Sequence, residues 1–308
     1  MPKHIYVQPD APDPVLSHEL VLSLVRRHVP EAQAVTGVDE SGGEARTYAI
    51  DEHSILKVQR PQQLRPLTSL AREVFFLHQM EAFPDISVPR VLGYGRESAL
   101  LEYTVMTRMP GVAIRHISFT EDERAAVLFQ LGMTLRRIHD LPQTPFAEYD
   151  QFPGDHTFAA VQQRFRTYFV ELAERFQDDG NPWPLAVSLP VISERVLASL
   201  PENEERVALH SNPYSEHTFA DPVTHTYTGL IDFGDAYMSH PAFDLRRWNR
   251  PAEREALLRG YTAGAPVSVA FMATWKAVMI LGDVIVMAYY PERAAQATDD
   301  LQQLLATL

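Results

Sequence analysis

The spacing of apolar residues predicts a chain whose first third is rich in strands. Leu16, Leu20, Leu24 and Val25 fall on one helical face and predict an amphipathic helix, and short alternating segments follow it. A second helix is predicted to open near Pro66 and Thr68. In chain order, the predicted elements are a helix at 14–29, strands at 45–50 and 54–58, a helix at 66–80, and strands at 88–92 and 99–106.

A break at Met109-Pro110-Gly111 separates this part from a second part in which helical spacing dominates. The clearest helical period covers 121–140, where an apolar stripe consists of Leu128, Leu131, Leu135 and Ile138. Further helices are predicted at about 157–178, 191–199 and 253–308, with strand-like pieces at 206–209 and 228–233. The pattern predicts a β-rich lobe at 1–107 and a larger helical lobe at 108–308.

Composition limits the environment and the chemistry of the protein. The chain contains no cysteine, which excludes disulfides, thiolate catalysis and cysteine-ligated zinc. The beginning of the sequence lacks a signal-peptide pattern, and no apolar run approaches the roughly 20 residues that span a bilayer. We therefore expect a cytoplasmic protein, a monomer or homodimer, with no membrane partner.

The net charge of −13 is the main electrostatic feature of the sequence. A polyanion would be repelled unless a dense basic patch overcame this charge, so we expect no nucleic-acid partner. A cationic small molecule would be attracted. Acidic proteins are also common for solubility alone, so the charge is only a weak indication of the ligand.

A lysine and a glutamate form the first candidate site. Alternation places Lys57 on the same strand face as Ile55, and Glu73 interrupts an apolar helical stripe between Leu70 and Leu77. A carboxylate on such a stripe is costly unless a cation meets it, and Lys57 is the natural partner. A purely structural ion pair, or two unrelated exposed groups, would give the same pattern.

Two later segments change from apolar to polar where catalytic groups are often found. One segment turns polar at His210 and continues through Asn212 to His217. The other, Ile231-Asp232-Phe233-Gly234, ends an apolar strand in an aspartate beside a flexible glycine, a pattern that suits a metal–phosphate site. An aspartate in an ordinary turn after a strand is the simpler alternative for Asp232.

The order of these features resembles the superfamily of aminoglycoside phosphotransferases, macrolide phosphotransferases and choline kinases. The likeness covers roughly residues 30–250, and the segments at 206–221 and 228–245 carry most of it. The resemblance implies an α+β, protein-kinase-like two-lobe fold, with a small antiparallel sheet in the N-lobe and a mostly helical C-lobe. It also implies a phosphotransferase that uses ATP or GTP with Mg²⁺.

The resemblance assigns roles to particular residues. Lys57 would hold the α- and β-phosphates, Glu73 would orient Lys57, and Asp232 would hold the metal. His217 falls where many members have a second metal-binding asparagine, although it could instead contact a phosphate or be structural. Asp244 matches an aspartate that braces the active-site loops. The remaining assignments are nucleotide contacts by a loop containing Ser41, Gly42 and Gly43 and by the backbone from Thr107 to Met109.

Asn212 departs from the family pattern, which has a catalytic aspartate two residues after the histidine. An asparagine can accept a hydrogen bond from the substrate hydroxyl but cannot take its proton. Proton acceptance is typically worth about 10²–10⁴-fold in rate, whereas phosphoryl transfer also depends on positioning and charge neutralisation. Three explanations stay open: a deliberate Asp-to-Asn variant, a natural pseudokinase that binds nucleotide, or a weak kinase.

These observations predict an O-phosphotransferase that acts on a hydroxyl group of a small molecule, with an aminoglycoside-type antibiotic as the first candidate. Aromatic residues of the second part would suit a less charged acceptor such as a macrolide, or they form a hydrophobic core. The alternatives are a macrolide or other small-metabolite kinase and a non-catalytic nucleotide-binding protein.

Overall fold

The protein folds into two compact units. Unit 1 comprises Met1–Ile117 and Ser215–Ala236, and unit 2 comprises Ser118–Tyr214 and Tyr237–Leu308. The lobe boundary that the sequence places between residues 107 and 108 stays a prediction. The computed structural model describes residues 8, 10–63, 68–150, 152–178, 183–202, 205–248 and 250–308.

Unit 1 is built on a five-stranded antiparallel sheet with the order β1-β2-β3-β5-β4. Its strands are β1 (Val35–Asp39), β2 (Ala45–Ile50), β3 (Ser54–Gln59), β4 (Val91–Ser98) and β5 (Leu101–Thr107). The central strands β2, β3 and β5 each have a hydrogen-bonded neighbour on both sides, and most of their side chains are buried. The predicted small antiparallel sheet is confirmed.

Two helices accompany this sheet, and a side chain caps each one. The first helix, α1 (His18–Val25), begins after Ser17, and α2 (Ser69–Gln79) begins after Thr68, whose hydroxyl accepts the amide of Ala71. The predicted start of α2 at Pro66 lies outside the described residues. In α2 the apolar stripe does contain the buried Glu73, as the sequence predicted.

The predicted apolar face of α1 was partly wrong. Leu20 is exposed, and the side chains that join the core of unit 1 are Val21, Leu24 and Val25. Leu24 and Val25 are buried as predicted and Leu16 packs against the same core, so the error is confined to Leu20. The helix covers eight residues rather than the predicted sixteen. Caps and packing decide where such a short helix begins, and leucine spacing alone does not.

A second, three-stranded sheet brings a late segment of the chain into unit 1. Its order is β6-β8-β9, with β6 (Val112–Ala113), β8 (Thr218–Ala220) and β9 (Tyr227–Leu230). Gly229 of β9 allows close packing, because a Cβ there would meet the Sδ atom of Met109 at 2.4 Å. The segment that carries Asp232 begins after β9 at Ile231, whose amide donates to the carbonyl of His217.

Unit 2 is mostly helical, as predicted. Its helices are α3 (Glu121–His139), α4 (Thr144–Glu148), α5 (Phe158–Asp178), α6 (Leu189–Ser199), α7 (Pro251–Thr262), α8 (Val269–Tyr289) and α9 (Ala294–Leu305). A two-stranded ladder pairs β7 (Val207–Leu209) with β10 (Tyr237–Ser239). The predicted stripe of α3 is fully buried, and a capping box between Thr120 and Glu123 fixes the start of the helix.

Helix α8 corrects one expectation about apolar runs. Val269–Tyr289 has a mean hydropathy of 1.8 in its most apolar window and is long enough to cross a bilayer by length and composition. Lys276 and Asp283 interrupt it, which is why the run is not obvious in the sequence. Because 61% of that window is buried within the protein, the helix has the character of a core helix.

Candidate functional site

Lys57 joins two carboxylates in unit 1. It lies on β3, and its Nζ atom donates to Oε2 of Glu73 at 2.7 Å and to Oδ1 of Asp232 at 2.9 Å. Glu73 comes from α2 and Asp232 from the segment after β9. The three charged residues that the sequence singled out are therefore neighbours in one unit.

The two carboxylates around Lys57 differ in their access to solvent. The Glu73 side chain is 2% exposed, whereas that of Asp232 is 41% exposed. A buried carboxylate with a short bond to an ammonium fixes the position of that ammonium. Asp232 keeps free surface, so it is the carboxylate of the pair that can also contact a ligand.

The electrostatics of this cluster hold Lys57 in its charged form. Burial disfavours the ammonium, but the carboxylates of Asp232 and Glu73 outweigh this effect and raise the pKa of Lys57. Burial also raises the pKa of Glu73; Lys57 opposes this rise and the nearby Asp232 adds to it. A permanently charged lysine beside acidic groups is suited to a phosphate ligand.

The backbone around Asp232 is fixed from α2. Asp232 has a φ of 72°, a left-handed conformation that aspartate tolerates better than most residues. The amide of Phe233 donates to Oε1 of Glu73 at 3.2 Å, and Nη1 of Arg72 donates to the carbonyl of Gly234 at 3.0 Å. One helix therefore positions both the Lys57 ammonium and the loop that carries Asp232.

His217, the second predicted metal ligand, also lies at this cluster. Its Nε2 atom is 3.1 Å from Oδ2 of Asp232. Asp235 adds to the acidic surroundings: desolvation and repulsion by Glu44 and Asp232 raise its pKa, although its side chain keeps solvent contact. A divalent cation would relieve this repulsion.

The donor set around Asp232 suits a magnesium ion that is shared with a phosphate ligand. Over the described ranges, no group of three or more His, Asp or Glu side chains is assembled for a metal. Mg²⁺ is typically held by one or two carboxylates together with substrate phosphates, and it prefers oxygen to nitrogen. Asp232 meets this requirement better than His217 does.

The predicted phosphate loop lies between β1 and β2, and one arginine holds its backbone. Ser41, Gly42 and Gly43 are part of it, and the Ser41 amide donates to Oδ1 of Asp39 at 2.8 Å. Arg60 donates from Nε to the carbonyl of Gly42 at 3.0 Å and from Nη2 to the carbonyl of Glu40 at 3.0 Å. The loop is thus fixed from the end of β3.

A network of two arginines and two carboxylates extends this arrangement. Arg60 and Arg46 both bind the carboxylates of Asp13 and Glu40; the Nε atom of Arg46 is 2.6 Å from Oε1 of Glu40. Sequence reasoning missed this network, because nothing in the spacing of these four residues relates the segment before α1 to the loop after β1.

The backbone amides of the predicted hinge, Thr107 to Met109, differ in whether they are already hydrogen-bonded within the protein. The amide of Thr107 donates to the carbonyl of Arg90 at 2.9 Å, and that of Arg108 donates to the carbonyl of His53 at 2.7 Å. The Met109 amide makes no such bond within the part of the chain that the structure describes. Of the backbone from Thr107 to Met109, Met109 is therefore the residue whose amide is free for a ligand.

Asn212 lies in unit 2, in a loop that follows β7. Asp244 accepts the amides of His210 at 2.8 Å and Ser211 at 2.6 Å, which is the bracing contact that the sequence predicted. Ser211 has a φ of 80°, and the Asn212 amide donates to Nδ1 of His210 at 3.2 Å. A braced, strained backbone of this kind is common where a side chain must be held for function.

A buried histidine supports this loop, and the sequence did not reveal it. Nε2 of His139 is 3.0 Å from Oδ2 of Asp244, and Nδ1 is 2.9 Å from the hydroxyl of Tyr261. His139 is the last residue of α3, one position after the buried Ile138. Its place at the end of an apolar stripe is the only signal that could have marked it.

Comparison with known proteins identifies the family. The model of the phosphotransferase enzyme family matches residues 37–272, which include the loop with Asn212 and the cluster of Lys57, Glu73 and Asp232. The chain belongs to the phosphotransferase enzyme family. The predicted resemblance and the predicted enzyme class are confirmed.

Relatives of this phosphotransferase agree with that assignment. The chain is 29% identical over 195 residues to the aminoglycoside 3'-phosphotransferase of Streptomyces ribosidificus, an overlap of 58% of this chain and 68% of the relative. Within this family Asn212 stands out, because it occupies the loop position at which the resemblance implies an aspartate.

Solved structures of the family have the same fold. The GDP complex of aminoglycoside 2'-phosphotransferase-IIIa matches with a TM-score of 0.63 and 13% identity, covering 95% of this chain and 99% of that one. The macrolide 2'-phosphotransferase of Brachybacterium faecium matches with a TM-score of 0.56 and 19% identity, covering 91% and 97%. The predicted kinase-like α+β fold of this phosphotransferase is confirmed.

Proposed function

We propose that this phosphotransferase moves the γ-phosphoryl group of ATP or GTP to a hydroxyl group of a small molecule, with Mg²⁺ as cofactor. The observation that carries the proposal is the contact of one lysine with a buried and a half-exposed carboxylate, Glu73 and Asp232. This is the arrangement that nucleotide-dependent kinases use to hold a metal-bound triphosphate.

Each group of unit 1 has a task in that reaction. Lys57 binds phosphate oxygens, Glu73 keeps its ammonium in place, and Asp232 supplies the carboxylate ligand for Mg²⁺, which neutralises charge on the phosphates when bound. The loop with Ser41, Gly42 and Gly43 covers the phosphates, and the Met109 amide donates a hydrogen bond to the purine. His217 is a contact for the metal or for a phosphate.

Asn212 positions the acceptor hydroxyl. The oxygen of the hydroxyl forms the new bond to phosphorus while the bond from phosphorus to the leaving nucleotide oxygen breaks. The amide oxygen of Asn212 can accept a hydrogen bond from the hydroxyl and so orient it, but the proton must leave to solvent or to the phosphate. Turnover is therefore expected to be slow with Asn212 in place.

The names of relatives support this proposal and suggest the first acceptors to test. The Streptomyces ribosidificus relative is an aminoglycoside phosphotransferase, and similar structures include a GDP complex and an ADP-bound enzyme. Structures of similar fold also include a kanamycin complex and a macrolide phosphotransferase. Aminoglycosides are the first acceptors to test, and macrolides are the second.

The experiment compares the chain that carries Asn212 with an Asn212→Asp version. Each is incubated with Mg²⁺, ATP or GTP, and a panel of acceptors, and phosphorylated acceptor is measured by mass spectrometry. We expect Asn212→Asp to transfer phosphate about 10²–10⁴-fold faster, because it restores a group that can accept the proton. If neither version phosphorylates any acceptor, O-phosphotransfer is wrong for this protein.

A non-catalytic nucleotide-binding protein is the second candidate, and Asn212 is the observation that favours it. In that case both versions would bind nucleotide, seen as a nucleotide-dependent rise in melting temperature, without product formation.

A further inference from the structure

A small cavity in unit 2 is lined by arginine and tyrosine side chains. Its walls include Tyr214, Arg246, Arg247, Val286, Tyr290 and Arg293, and its volume is about 50 Å³. Tyr214 lies two residues after Asn212, and its amide donates to the carbonyl of Asn212 at 2.8 Å. The cavity is therefore next to the loop that we propose to position the acceptor.

Arg246 is buried and held in place at this cavity. Its side chain lies over the ring of Tyr168, 5.1 Å from guanidinium carbon to ring centroid, and over the ring of Phe243 at 5.8 Å. The residue is 9% exposed and hydrogen-bonds to Tyr168, and its buried Nη1 atom has no hydrogen-bond partner among the residues that the structure describes. A buried donor without a partner is costly, and an anionic ligand would satisfy it.

Three of the side chains that line the cavity carry a positive charge. Of the residues that the structure describes, no carboxylate forms an ion pair with Arg246 or Arg293, and none of the lining residues is acidic. Asp283 follows Gly282 of the cavity wall, and the nearby Arg293 stabilises its ionised form. Its carboxylate is fully buried and already bonded to Arg254.

We propose that this cavity is a subsite for an anionic group of the acceptor, a carboxylate or a phosphate- or sulfate-type group. The inference rests on the proposed function, since it assigns the substrate class of the same reaction. Three arginines gathered on one cavity oppose the net charge of −13 of the chain. Guanidinium groups also match the planar or tetrahedral oxygens of such anions.

The volume and the positive charge of the cavity favour an anionic acceptor over a polycation. A volume of about 50 Å³ accommodates one small charged group but not an amino-sugar ring. The ammonium groups of an aminoglycoside would be repelled by Arg246 and Arg293. The acceptor that fits is a hydroxylated molecule that also carries a carboxylate, phosphate or sulfate, in place of the aminoglycosides and macrolides that the names of relatives suggest testing first.

The first experiment measures anion binding by calorimetry. Sulfate and acetate are titrated into the full chain with Mg²⁺ and ADP at saturation, so that the proposed nucleotide site is already filled. We expect sulfate to bind the natural chain and to bind Arg293→Gln about tenfold more weakly, because a charge-assisted contact is lost. The ratio of sulfate to acetate affinity separates a tetrahedral from a planar anion.

Two further variants complete the comparison. Arg246→Gln tests the buried arginine directly, and Arg293→Gln keeps the test valid if Arg246→Gln fails to fold. Arg195→Gln, at an exposed arginine of α6 outside this cavity, is the matched control and is expected to bind sulfate as the natural chain does. Equal sulfate affinity in all variants, or none in the natural chain, would overturn the subsite.

A transfer assay then tests the substrate class itself. Glucose, glucosamine and glucuronic acid are offered to the Asn212→Asp version, since they share a hydroxylated ring and differ in charge. We expect glucuronic acid to be phosphorylated with the highest kcat/KM, and the Arg293→Gln change to remove that preference. Preference for glucosamine would overturn the proposal. A protein that phosphorylates nothing but still binds sulfate through Arg293 would refute the proposed function alone.

Discussion

Nζ of Lys57 lies 2.9 Å from Oδ1 of Asp232, although 175 positions separate these residues in the chain. Strand β3 supplies the lysine, and the segment after β9 returns late in the chain to supply the aspartate. Because α2 contributes Glu73 to the same lysine, one cluster depends on three elements that are distant in sequence.

Glu73→Gln tests whether the buried carboxylate positions Lys57. The amide can still accept a hydrogen bond, but it no longer neutralises the ammonium or fixes it as tightly. We expect kcat/KM for nucleotide to fall about 10- to 100-fold, since small misplacement of a phosphate-binding group is costly. Steady-state kinetics at varied nucleotide concentration measures the change.

Glu102→Gln is the control for loss of a buried glutamate. Glu102 is buried in the same sheet and accepts the hydroxyl of Tyr94 at 2.8 Å, and its polar partners among the described residues are Thr68, Tyr94 and Arg96 rather than Lys57. We expect this variant to lose stability without a comparable fall in kcat/KM. Equal losses of kcat/KM in the two variants would show that Glu73 has only a structural role.

Asp232→Asn tests the proposed metal ligand. A neutral amide is a poor ligand for Mg²⁺, so we expect the affinity for Mg-nucleotide to fall about 10- to 100-fold. Metal-free nucleotide should bind no more weakly, because a negative charge near the phosphates is removed. Calorimetric titration with and without Mg²⁺ measures both effects.

Asp51→Asn is a matched control for this substitution. Asp51 is another aspartate of unit 1 with a positive φ, 48°, and it accepts the amides of Gln33 and Ala34. The same chemical change at the same kind of backbone should leave Mg-nucleotide affinity unchanged. An unaltered magnesium dependence in Asp232→Asn would remove Asp232 from the metal site.

Arg60→Lys tests the arginine that holds the loop between β1 and β2. A lysine cannot reproduce the forked contacts to Gly42 and Glu40, so the loop should be less well ordered over the phosphates. We expect KM for nucleotide to rise about five- to tenfold while kcat changes less than about twofold. Arg27→Lys, at an exposed pair with Glu97, is the control and should change neither constant.

The raised pKa of Asp283, a residue of unit 2, predicts that the stability of the protein depends on pH. Burial, opposed by Arg254, raises the pKa of Asp283 to about 7 from an ordinary value of 3.8. Between these values the folded protein keeps a proton that the unfolded chain has lost, so the contribution of Asp283 to stability falls as pH rises. Relative to Asp283→Asn, the natural chain should lose about 3 kcal/mol between pH 5 and pH 8.

Chemical unfolding of both proteins at the two pH values measures this difference. The comparison with Asp283→Asn removes the contributions of all other titrating groups, which are common to both chains. A difference that is constant with pH, or that grows as pH rises, would show that Asp283 is ionised throughout this range.

Strong local patterns in the sequence predicted much of the fold. The stripe of α3, the strands at 45–50 and 54–58, and the buried position of Glu73 all follow from periodicity that tertiary packing did not override. Weak patterns were less reliable: the predicted face of α1 was wrong at Leu20. Strand β6 has two residues, too short to show any period.

The sequence by itself determined the class of fold, the kind of chemistry and the identity of Lys57, Glu73 and Asp232, because short motifs and apolar spacing are properties of neighbouring residues. Only the tertiary structure decided that Arg60 holds the loop before β2, that His139 supports Asp244, and that arginines gather beside Tyr214. Such contacts join residues far apart in the chain. Their energies depend on burial and distance, which local sequence does not specify.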